Sequence, residues 1–356
     1  MSEKNVILSA KDIVVKFNVR DRVLTAIRKI SLDLYEGETL AIVGESGSGK
    51  SVTTKTFTGM LESNGWVDSG SIMFEGQDLT QIKTDAEWEK IRGVKIATVF
   101  QDPMTSLNSI RTIGSQITEV IIKHQKKSKE EAKQIAIDLM ERVGITDAAN
   151  RFDEYPFQYS GGMRQRIVIA IALACRPKIL ICDEPTTALD VTIQAQILKL
   201  IKELQKEYGF TTIYITHDLG VVANVADRVA VMYAGQIVEY GTSEDVFYNP
   251  KHPYTWALLS SLPQLGEKGE ELFSITGTPP SLYNEVIGDA FAPRNQYAMK
   301  IDFEEEPPFF QISPTHYAKT WLLDPRAPKV ELPKAIRNLH AKLQEMTGKG
   351  GAFHVE

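Results

Sequence analysis

The sequence predicts an α/β fold with a parallel sheet and a phosphate-binding loop, and three observations carry this prediction. An apolar segment at residues 39–43 leads directly into Gly44-Glu45-Ser46-Gly47-Ser48-Gly49-Lys50-Ser51, a complete G-x-x-x-x-G-K-S loop, and then into a predicted helix. Two short apolar segments, 179–182 and 211–216, have the composition of strands that are buried on both faces of a parallel sheet. Residues 103–160 carry helix-period apolar positions without a strand candidate, which predicts a helical insertion.

The fixed positions of the loop each have a chemical role. Gly44, Gly47 and Gly49 allow the tight turn that directs backbone N–H groups inward. Lys50 reaches the β- and γ-phosphates, and the Ser51 hydroxyl can ligate Mg²⁺. We therefore expect residues 44–51 to hold nucleotide phosphates at the positive end of the following helix. The alternative, a glycine-rich surface turn, does not account for the flanking strand and helix.

Length and composition indicate a globular protein with an appended region. A chain of 356 residues exceeds the usual size of one domain, which favours a core of about 250 residues plus an appendage. Hydrophobic residues make up 43%, charged residues 24%, and the formal net charge is −6. This mild acidity gives no electrostatic footprint for nucleic acid, so we expect no nucleic-acid partner.

The cysteines and the apolar runs indicate where in the cell the protein is expected. Cys175 and Cys182 both lie in apolar runs, which favours reduced, buried thiols in a cytosolic protein. The longest apolar run, 167–175, is too short to span a bilayer, and the N-terminus has no signal-peptide h-region. We expect any membrane role to come through partner subunits.

The remaining elements follow from β-branched composition and helical periodicity. Strands are predicted at 6–17, 23–34, 70–75 and 94–100, with a hairpin formed by 228–233 and 236–240 that turns at Ala234-Gly235; helices are predicted from the loop to about 61, near 87–91, and at 113–123, 129–143 and 192–208. Phe17 ends the first strand. On the residues alone a core aromatic is the favoured interpretation, and stacking on an adenine ring is the alternative.

Polar residues follow several of the predicted strands. Asp183 and Glu184 directly follow the buried strand 179–182, and two carboxylates there need compensation that Mg²⁺ can supply. Gln101 follows strand 94–100, and His217 follows strand 211–216. A lone histidine is commonly structural, but one at the carboxyl edge of a strand beside the phosphate-loop strand is a candidate functional residue.

Ser160-Gly161-Gly162 immediately precedes a strongly apolar predicted helix. Serine is a favoured helix N-cap and glycine is tolerated there, so a structural cap is one interpretation. The same geometry also forms an anion site, which is the functional interpretation.

The ordered set of motifs resembles the nucleotide-binding domain of ATP-binding-cassette (ABC) proteins over roughly residues 6–248. The set comprises the phosphate loop, Gln101, Ser160-Gly161-Gly162, Asp183-Glu184, Asp190 and His217. The resemblance implies a P-loop NTPase fold with a RecA-like core, an antiparallel β-subdomain and a helical subdomain at about 103–160. Sequence from Asn249 onward is Pro-rich and weakly periodic, so we predict a cassette at 1–248 and a small C-terminal domain at 249–356.

Longer stretches are similar to the ATPase subunits of oligopeptide-permease importers of the Opp/Ami type, and this resemblance runs nearly end to end. They are Val99-Phe100-Gln101-Asp102-Pro103-Met104-Thr105-Ser106-Leu107-Asn108, Ser160-Gly161-Gly162-Met163-Arg164-Gln165-Arg166 and His252-Pro253-Tyr254-Thr255-Trp256-Ala257-Leu258-Leu259. The family implies an ATPase that energises import of oligopeptides; similar cassettes also serve dipeptides, nickel, free amino acids and sugars.

The resemblance implies residue roles around one nucleotide. Lys50 and the loop amides would hold the phosphates, and Asp183 would bind Mg²⁺ through water alongside Ser51. Glu184 would act as general base for the attacking water.

Further roles are implied for the γ-phosphate and the base. His217 would steady the γ-phosphate. Gln101 would sense that phosphate and, with Ser51 and Asp183, belong to the metal site. Phe17 lies at the position of the family's adenine-stacking aromatic, which reverses the preference for a core role.

The family also implies an assembly. Two cassettes sandwich ATP head to tail, so Ser160, Gly161 and Gly162 would act on the nucleotide bound by the partner's loop, with Asp190 across the same interface. The expected partners are a second, different cassette, two transmembrane permease subunits that contact the helical insertion and, indirectly, an extracellular peptide-binding protein. The protein would be peripheral to the cytoplasmic face of the membrane.

Three other classes compete with this interpretation. DNA-repair or chromosome-structural ABC ATPases carry long coiled coils or zinc modules, and neither is visible in the sequence. Translation-associated ABC proteins carry two cassettes in one chain, and only one is present. A plain P-loop kinase or GTPase would have no use for residues 160–165.

The C-terminal region departs from many peptide-permease ATPases, which carry four cysteines spaced to hold an iron–sulfur cluster. The matching positions are Asp289, Asn295, Asp302 and Thr320. Such clusters require thiolate ligands, so we expect no cluster. We expect apolar packing by Phe291, Tyr297, Phe303, Trp321 and Leu322, with polar contacts among the four substituted positions, to hold the region instead.

We predict that anaerobically purified protein contains no stoichiometric iron, measured by metal analysis together with the visible absorption spectrum. A brown preparation with a cluster-type chromophore would contradict this expectation.

Overall fold

The structure is a computed structural model that describes residues 5–187, 189–262 and 275–337. Its strands are β1 Val6–Val19, β2 Arg22–Tyr35, β3 Thr39–Val43, β4 Gly65–Phe74, β5 Gln77–Asp78, β6 Ile96–Val99, β7 Ile179–Asp183, β8 Thr211–Thr216, β9 Arg228–Tyr233, β10 Gln236–Thr242, β11 Phe310–Gln311 and β12 Tyr317–Ala318. They form two sheets, one of order β2-β1-β4-β5 and one of order β11-β12-β10-β9-β3-β8-β7-β6.

The helices connect these strands and build the predicted insertion. They are α1 Lys50–Thr58, α2 Asp85–Trp88, α3 Pro103–Ser106, α4 Ile113–Gln125, α5 Lys129–Arg142, α6 Ala148–Arg151, α7 Gly161–Leu173, α8 Val191–Tyr208, α9 Leu219–Val225, α10 Ser243–Tyr248, α11 Pro253–Ser260 and α12 Lys334–Arg337. Helices α3 to α6 occupy the segment between β6 and α7, which confirms the helical insertion. No helix of the described residues is long and apolar enough to cross a membrane.

The large sheet has the predicted parallel core. Strand β3 pairs in parallel with β8 on one side and β9 on the other, and β7 pairs in parallel with β8 and β6. The β9–β10 hairpin turns at Ala234 and Gly235, with φ of 44° and 78°, as the sequence predicted. The carboxyl ends of β3, β6, β7 and β8 therefore meet at one edge, which positions the site described below.

Both faces of β3 are covered, which explains its uniformly apolar sequence. Ala41 and Val43 belong to the core shared with the helical segments, whereas Leu40 and Ile42 belong to the core shared with the antiparallel sheet. Because successive side chains of a strand point to opposite faces, the strand joins the two cores. The phosphate loop thus follows a strand that is anchored on both faces.

Some predicted boundaries were wrong for identifiable reasons. Strand β4 begins at Gly65 rather than at residue 70, because its first half is largely exposed and lacks apolar alternation. Helix α1 ends at Thr58 rather than near 61, because Gly59 adopts a left-handed C-cap with φ of 60°. Cys175 and Cys182 are free thiols; Cys182 is buried as expected, whereas Cys175 is half-buried, so its predicted full burial was wrong.

The C-terminal region is joined to the large sheet. Strand β12 pairs with β10, and the carboxylate of Glu239 on β10 is fully buried. That carboxylate accepts hydrogen bonds from the backbone N–H groups of Lys251 (2.7 Å) and His252 (3.0 Å) and lies 2.8 Å from His316 Nε2. One buried acceptor therefore ties three segments of the chain together. The division into domains at 248/249 stays a prediction.

The four positions that match the family's cysteines are buried polar residues. Side-chain oxygens of Asp289, Asn295, Asp302 and Thr320 accept backbone N–H groups of Phe291, Tyr297, Met299 and Leu322, respectively. The expected polar contacts among the four positions are confirmed in part: the Asp289 N–H donates to the Asp302 carbonyl oxygen at 2.7 Å, whereas the four side chains accept from local backbone. Carboxylate, amide and hydroxyl oxygens committed to backbone do not fit an iron–sulfur cluster.

The apolar packing expected for this region is present in part. Phe291 is buried in the main core, and Tyr297 and Leu322 pack against it. Phe303 is 53% exposed, so its predicted packing role was wrong. Trp321 is partly exposed and packs edge-on against the Phe310 ring.

A buried ion pair between Glu38 and Arg228 gives a stability prediction. Arg228 Nη1 lies 2.9 Å from Glu38 Oε1, both side chains are at most 9% exposed, and the guanidinium also lies over the rings of Tyr35 and Tyr240. Arg228→Met should lower the free energy of unfolding by about 3–5 kcal/mol, because it leaves a buried carboxylate without its countercharge. Chemical denaturation measures this.

The exposed pair between Arg326 and Asp324 supplies a matched control. Arg326→Met should leave the unfolding midpoint unchanged. Equal midpoints for Arg228→Met and the parent protein would show that the buried pair does not stabilise the fold.

Candidate nucleotide-binding and hydrolysis site

The phosphate loop has backbone geometry that requires glycine. Gly44 has φ of 153°, and a Cβ there would lie 2.2 Å from the Met232 carbonyl oxygen. Gly49 has φ of 104°, and its Cβ would lie 2.7 Å from Ile27 Cδ1. Gly47 has φ of 79° with open space in front of it. The loop is therefore packed tightly behind and open in front, as a phosphate cradle requires.

Lys50 is the buried cation of the loop. Its side-chain amine donates to the carbonyl oxygens of Gly44 (2.8 Å) and Glu45 (2.9 Å), and the residue is 5% exposed. Burial lowers the pKa of this amine, whereas Glu184, Asp183 and Glu45 nearby oppose that effect. The lysine closes the loop on itself and lies among acceptors that an anionic ligand can replace.

Ser51 and Asp183 join the loop to the end of β7. The Ser51 hydroxyl donates to Asp183 Oδ1 at 3.0 Å. Burial raises the pKa of Asp183, the Ser51 hydrogen bond lowers it and the neighbouring Glu184 raises it. A hydroxyl beside a desolvated carboxylate is a hard-oxygen donor set, and it fits Mg²⁺.

Glu184 is the point on which the polar residues of the edge converge. Its Oε2 accepts hydrogen bonds from Gln101 Nε2 (2.9 Å) and the Thr187 hydroxyl (3.1 Å), and its Oε1 lies 3.2 Å from His217 Nδ1. Its backbone has a φ of 48°, and its N–H donates to the Ile215 carbonyl oxygen at 2.9 Å. A non-glycine residue in this conformation is held by its surroundings, which is common at functional sites.

Thr187 is a contact that the sequence interpretation missed. Its hydroxyl follows Glu184 by three residues, and the turn after β7 brings it back to the carboxylate. The D-E-P-T-T run was visible, but which of its two threonines faces the carboxylate depends on that turn.

Ser160, Gly161 and Gly162 begin α7, and Asp190 caps the neighbouring α8. Ser160 Oγ accepts the Met163 N–H at 3.3 Å, and Asp190 Oδ1 accepts the Ile193 N–H at 3.0 Å, so both capping residues act as structural caps. A Cβ at Gly162 would lie 2.9 Å from Ile193 Cγ2, which shows that the two helix starts are in contact.

These helix starts form a cluster separate from Glu184. Among the described residues, the hydrogen bonds around Glu184 do not reach Ser160 or Asp190, and both of those residues are exposed. An exposed helix N-terminus is suited to an anion presented by another molecule.

Phe17 lies in the core of the antiparallel subdomain. It is 8% exposed, and a Cβ at Gly65 would lie 2.4 Å from its ring. Adenine stacking requires one ring face to be open, so the stacking role stays a prediction.

Two C-terminal residues contact the loop, and the sequence interpretation missed both. The Tyr254 hydroxyl accepts the Glu45 N–H at 2.8 Å, and the Arg294 guanidinium pairs with the Glu45 carboxylate at 2.6 and 3.0 Å. Contacts across more than 200 residues leave no local pattern in a single sequence.

Comparison with known families accounts for this set of residues. A family model described as "ABC transporter" matches residues 27–187, and one described as "Oligopeptide/dipeptide transporter, C-terminal region" matches residues 238–301. The chain is 71% identical over 346 residues to the oligopeptide transport ATP-binding protein AmiE of Streptococcus pneumoniae, covering 97% of this chain and 98% of that protein. The chain belongs to the ABC transporter ATP-binding family.

Other members of the family are similar over nearly the whole cassette and C-terminal region. The oligopeptide transport ATP-binding protein OppD of Bacillus subtilis is 57% identical, covering 95% of this chain and 94% of that one. The dipeptide transport ATP-binding protein DppD of Lactococcus lactis is 56% identical, covering 98% and 99%. The ABC protein described here is accordingly an ATPase of the cassette type.

Solved cassettes share the fold. The cassette MJ0796, in a dimeric post-hydrolysis state bound to ADP and Pi, is 28% identical with a TM-score of 0.59, covering 66% of this chain and 98% of that one. The cbiO1 subunit from Clostridium perfringens is 30% identical with a TM-score of 0.60, covering 69% and 92%. These similarities confirm the predicted P-loop cassette.

Proposed function

We propose that this ABC ATPase hydrolyses ATP to drive import of oligopeptides through a membrane transporter. The observation that carries the proposal is 71% identity to AmiE, an oligopeptide transport ATP-binding protein, across 98% of its length. OppD of Bacillus subtilis, also an oligopeptide transport protein, supports the same cargo.

Dipeptide import is the second candidate. Identity to the Lactococcus DppD is 56% over 99% of that protein, nearly as high as to OppD. The cassette itself binds nucleotide rather than peptide in either case, so cargo length is a property of the assembled transporter.

The loop and β7 divide the binding of MgATP between them. Lys50 and the amides of residues 44–51 hold the phosphates. When they do, Lys50 replaces its hydrogen bonds to loop carbonyl oxygens with hydrogen bonds to phosphate oxygens. Ser51 and Asp183 hold Mg²⁺, with Gln101 on the same side. The cation, when bound, neutralises charge that develops on the transferred phosphoryl group.

Glu184 then acts as general base. Gln101, Thr187 and His217 hold its carboxylate in place. The attacking water therefore meets a proton acceptor of fixed orientation. His217 and Gln101 both contact the Glu184 carboxylate, and we assign both to the γ-phosphate, so each would link the presence of that phosphate to the orientation of Glu184. Phe17 stacks on the adenine once one face of the phenyl ring becomes accessible.

The composite site requires a second cassette. Ser160, Gly161, Gly162 and Asp190 present exposed helix starts, and we assign them to the nucleotide bound by the partner's loop. The dimeric MJ0796 cassette with bound ADP and Pi supports this arrangement. A different cassette as the partner is the arrangement that we propose.

The helical insertion supplies the contact with the permease subunits. Met104, Ile110 and Phe157 are 58%, 82% and 70% exposed. Exposed apolar patches mark interaction surfaces, and we assign these three side chains of the insertion to one. Docking there would hold the protein at the cytoplasmic face of the membrane.

Glu184→Gln tests the catalytic assignment. The amide keeps the size of the side chain but cannot take the proton of the attacking water, so ATP binding should persist while turnover falls by about 10²- to 10⁴-fold. Uptake of a labelled hexapeptide by the reconstituted transporter should fall in parallel, and a labelled dipeptide assayed beside it reports the cargo class.

Glu62→Gln, at an exposed carboxylate paired with Lys55, is the matched control and should retain turnover. Normal hydrolysis by Glu184→Gln would remove that residue from the role. Uptake of the dipeptide but not the hexapeptide would favour the second candidate.

Ser160→Arg tests the composite site. A bulky cation at the start of α7 should suppress turnover of the assembled transporter while this chain still binds ATP through its own Lys50, which fluorescent-nucleotide titration measures. Ser128→Arg changes another exposed N-cap serine and should retain turnover. Full turnover by the isolated monomer, independent of Ser160, is the result that would refute the sandwich.

A further inference from the structure

Glu45, the second residue of the phosphate loop, is bound by the C-terminal region at two points. Arg294 Nη1 and Nη2 lie 2.6 Å and 3.0 Å from Glu45 Oε2 and Oε1, which is a bidentate ion pair. The Arg294 side chain is 4% exposed. The Glu45 side chain is 28% exposed, so the pair joins a buried guanidinium to a half-buried carboxylate in a specific bidentate contact.

Arg294 is itself held rigidly. Its Nε donates to the Thr276 carbonyl oxygen at 2.9 Å, and its Nη1 donates to the Tyr233 hydroxyl at 3.2 Å. The guanidinium lies 5.7 Å from the Tyr233 ring centroid and 6.0 Å from that of Phe291. The Glu45 hydrogen bond raises the pKa of Arg294, against burial, so the guanidinium stays ionised.

Tyr254 holds the backbone of the same loop residue. Its hydroxyl accepts the Glu45 N–H at 2.8 Å, and its ring packs against Tyr233 at 4.6 Å and Phe291 at 5.3 Å between centroids. Burial raises the pKa of Tyr254, so the hydroxyl stays protonated. Glu45 is thus fixed at its N–H by one C-terminal residue and at its carboxylate by another.

The backbone carbonyl group of Glu45 faces the catalytic side. The carbonyl oxygen accepts a hydrogen bond from Lys50 Nζ at 2.9 Å, and also from the Ser48 N–H at 3.2 Å. A contact made by the C-terminal region therefore reaches the phosphate-binding lysine through a single residue.

We propose that Arg294 and Tyr254 are positioning residues for the phosphate loop, and that the C-terminal region sets the affinity for nucleotide through Glu45. This inference rests on the proposed role of the loop in holding the phosphates. A loop with glycine at three of eight positions loses much conformational entropy when it is ordered around phosphates. Anchors that order it beforehand remove part of that cost from binding.

The contacts predict which kinetic parameter changes. Among the described residues, Arg294 and Tyr254 make no hydrogen bond to Glu184, Gln101 or His217, whose own contacts hold the proposed general base. Loss of the anchors should therefore raise KM and the Kd for ATP while kcat changes little. If the two residues had a merely structural role, their substitution would lower the amount of folded protein without raising KM and the Kd separately from kcat.

Three conservative variants test the proposal in the full chain and in the assembled transporter. Tyr254→Phe keeps the ring and removes the hydroxyl, Glu45→Gln keeps the size of the side chain, and Arg294→Gln removes the charge. Each should weaken binding of a fluorescent ATP analogue by at least about 5-fold, within the range of typical coupling between sites. If Arg294→Gln fails to fold, the other two variants decide the question.

A double-mutant cycle separates positioning from a general effect. Because both single variants break one ion pair, Glu45→Gln with Arg294→Gln should bind ATP no more weakly than the worse single variant. Arg326→Gln removes an equally bidentate but exposed pair with Asp324 and is the matched control, expected to bind ATP as the parent does.

The outcomes distinguish this inference from the proposed function. Parental Kd and KM in folded Tyr254→Phe and Arg294→Gln, or a fall in kcat alone, would overturn the positioning role. The proposed function fails by a different measurement, namely retention of ATP binding by Lys50→Ala.

Discussion

The site depends on burial of β3 on both faces. Leu40 and Ile42 pack into one core, and Ala41 and Val43 into the other, so the strand is fixed between the antiparallel sheet and the helical side of the large sheet. The loop that follows is also rigid at its first residue, because the Met232 carbonyl lies too close to Gly44 for any side chain. Phosphate binding by backbone amides requires such fixed geometry, because amides cannot adjust as side chains do.

Around that loop, the parallel topology brings distant residues to one edge. Gln101, Asp183 and His217 lie at the carboxyl ends of three different strands, and each of those strands pairs in parallel with a neighbour in the order β6-β7-β8-β3. The carboxyl ends of parallel strands lie side by side, so polar residues there converge without being near in sequence. Glu184 receives the converging hydrogen bonds, which ties the proposed general base to the two residues that we assign to the γ-phosphate.

The C-terminal region is part of the same structural unit as the loop. Buried Glu239 binds backbone groups at the start of α11 together with His316, and Glu45 of the loop binds Tyr254 and Arg294. A buried carboxylate left without these donors would be costly, so the contacts on each carboxylate favour one arrangement of the segments. The side chains of Asp289, Asn295, Asp302 and Thr320 serve as local backbone acceptors, so the region is held by hydrogen bonding and by the aromatic cluster around Phe291.

The sequence by itself determined the cassette fold and its ligand class. The spacing of Gly44 to Ser51, the apolar strands at β7 and β8 and the order of the later motifs follow from local chemistry: tight turns need glycine, and strands buried on both faces need continuous apolar runs. Those features are readable because each depends on residues that are close in the chain.

Only the tertiary structure decided which polar groups touch. It selected Thr187 as a partner of Glu184, buried the Phe17 ring against Gly65, left Phe303 exposed, and brought Tyr254 and Arg294 to Glu45. Such contacts join segments that are remote in sequence, or depend on the direction of one turn, and composition and periodicity carry information about neither.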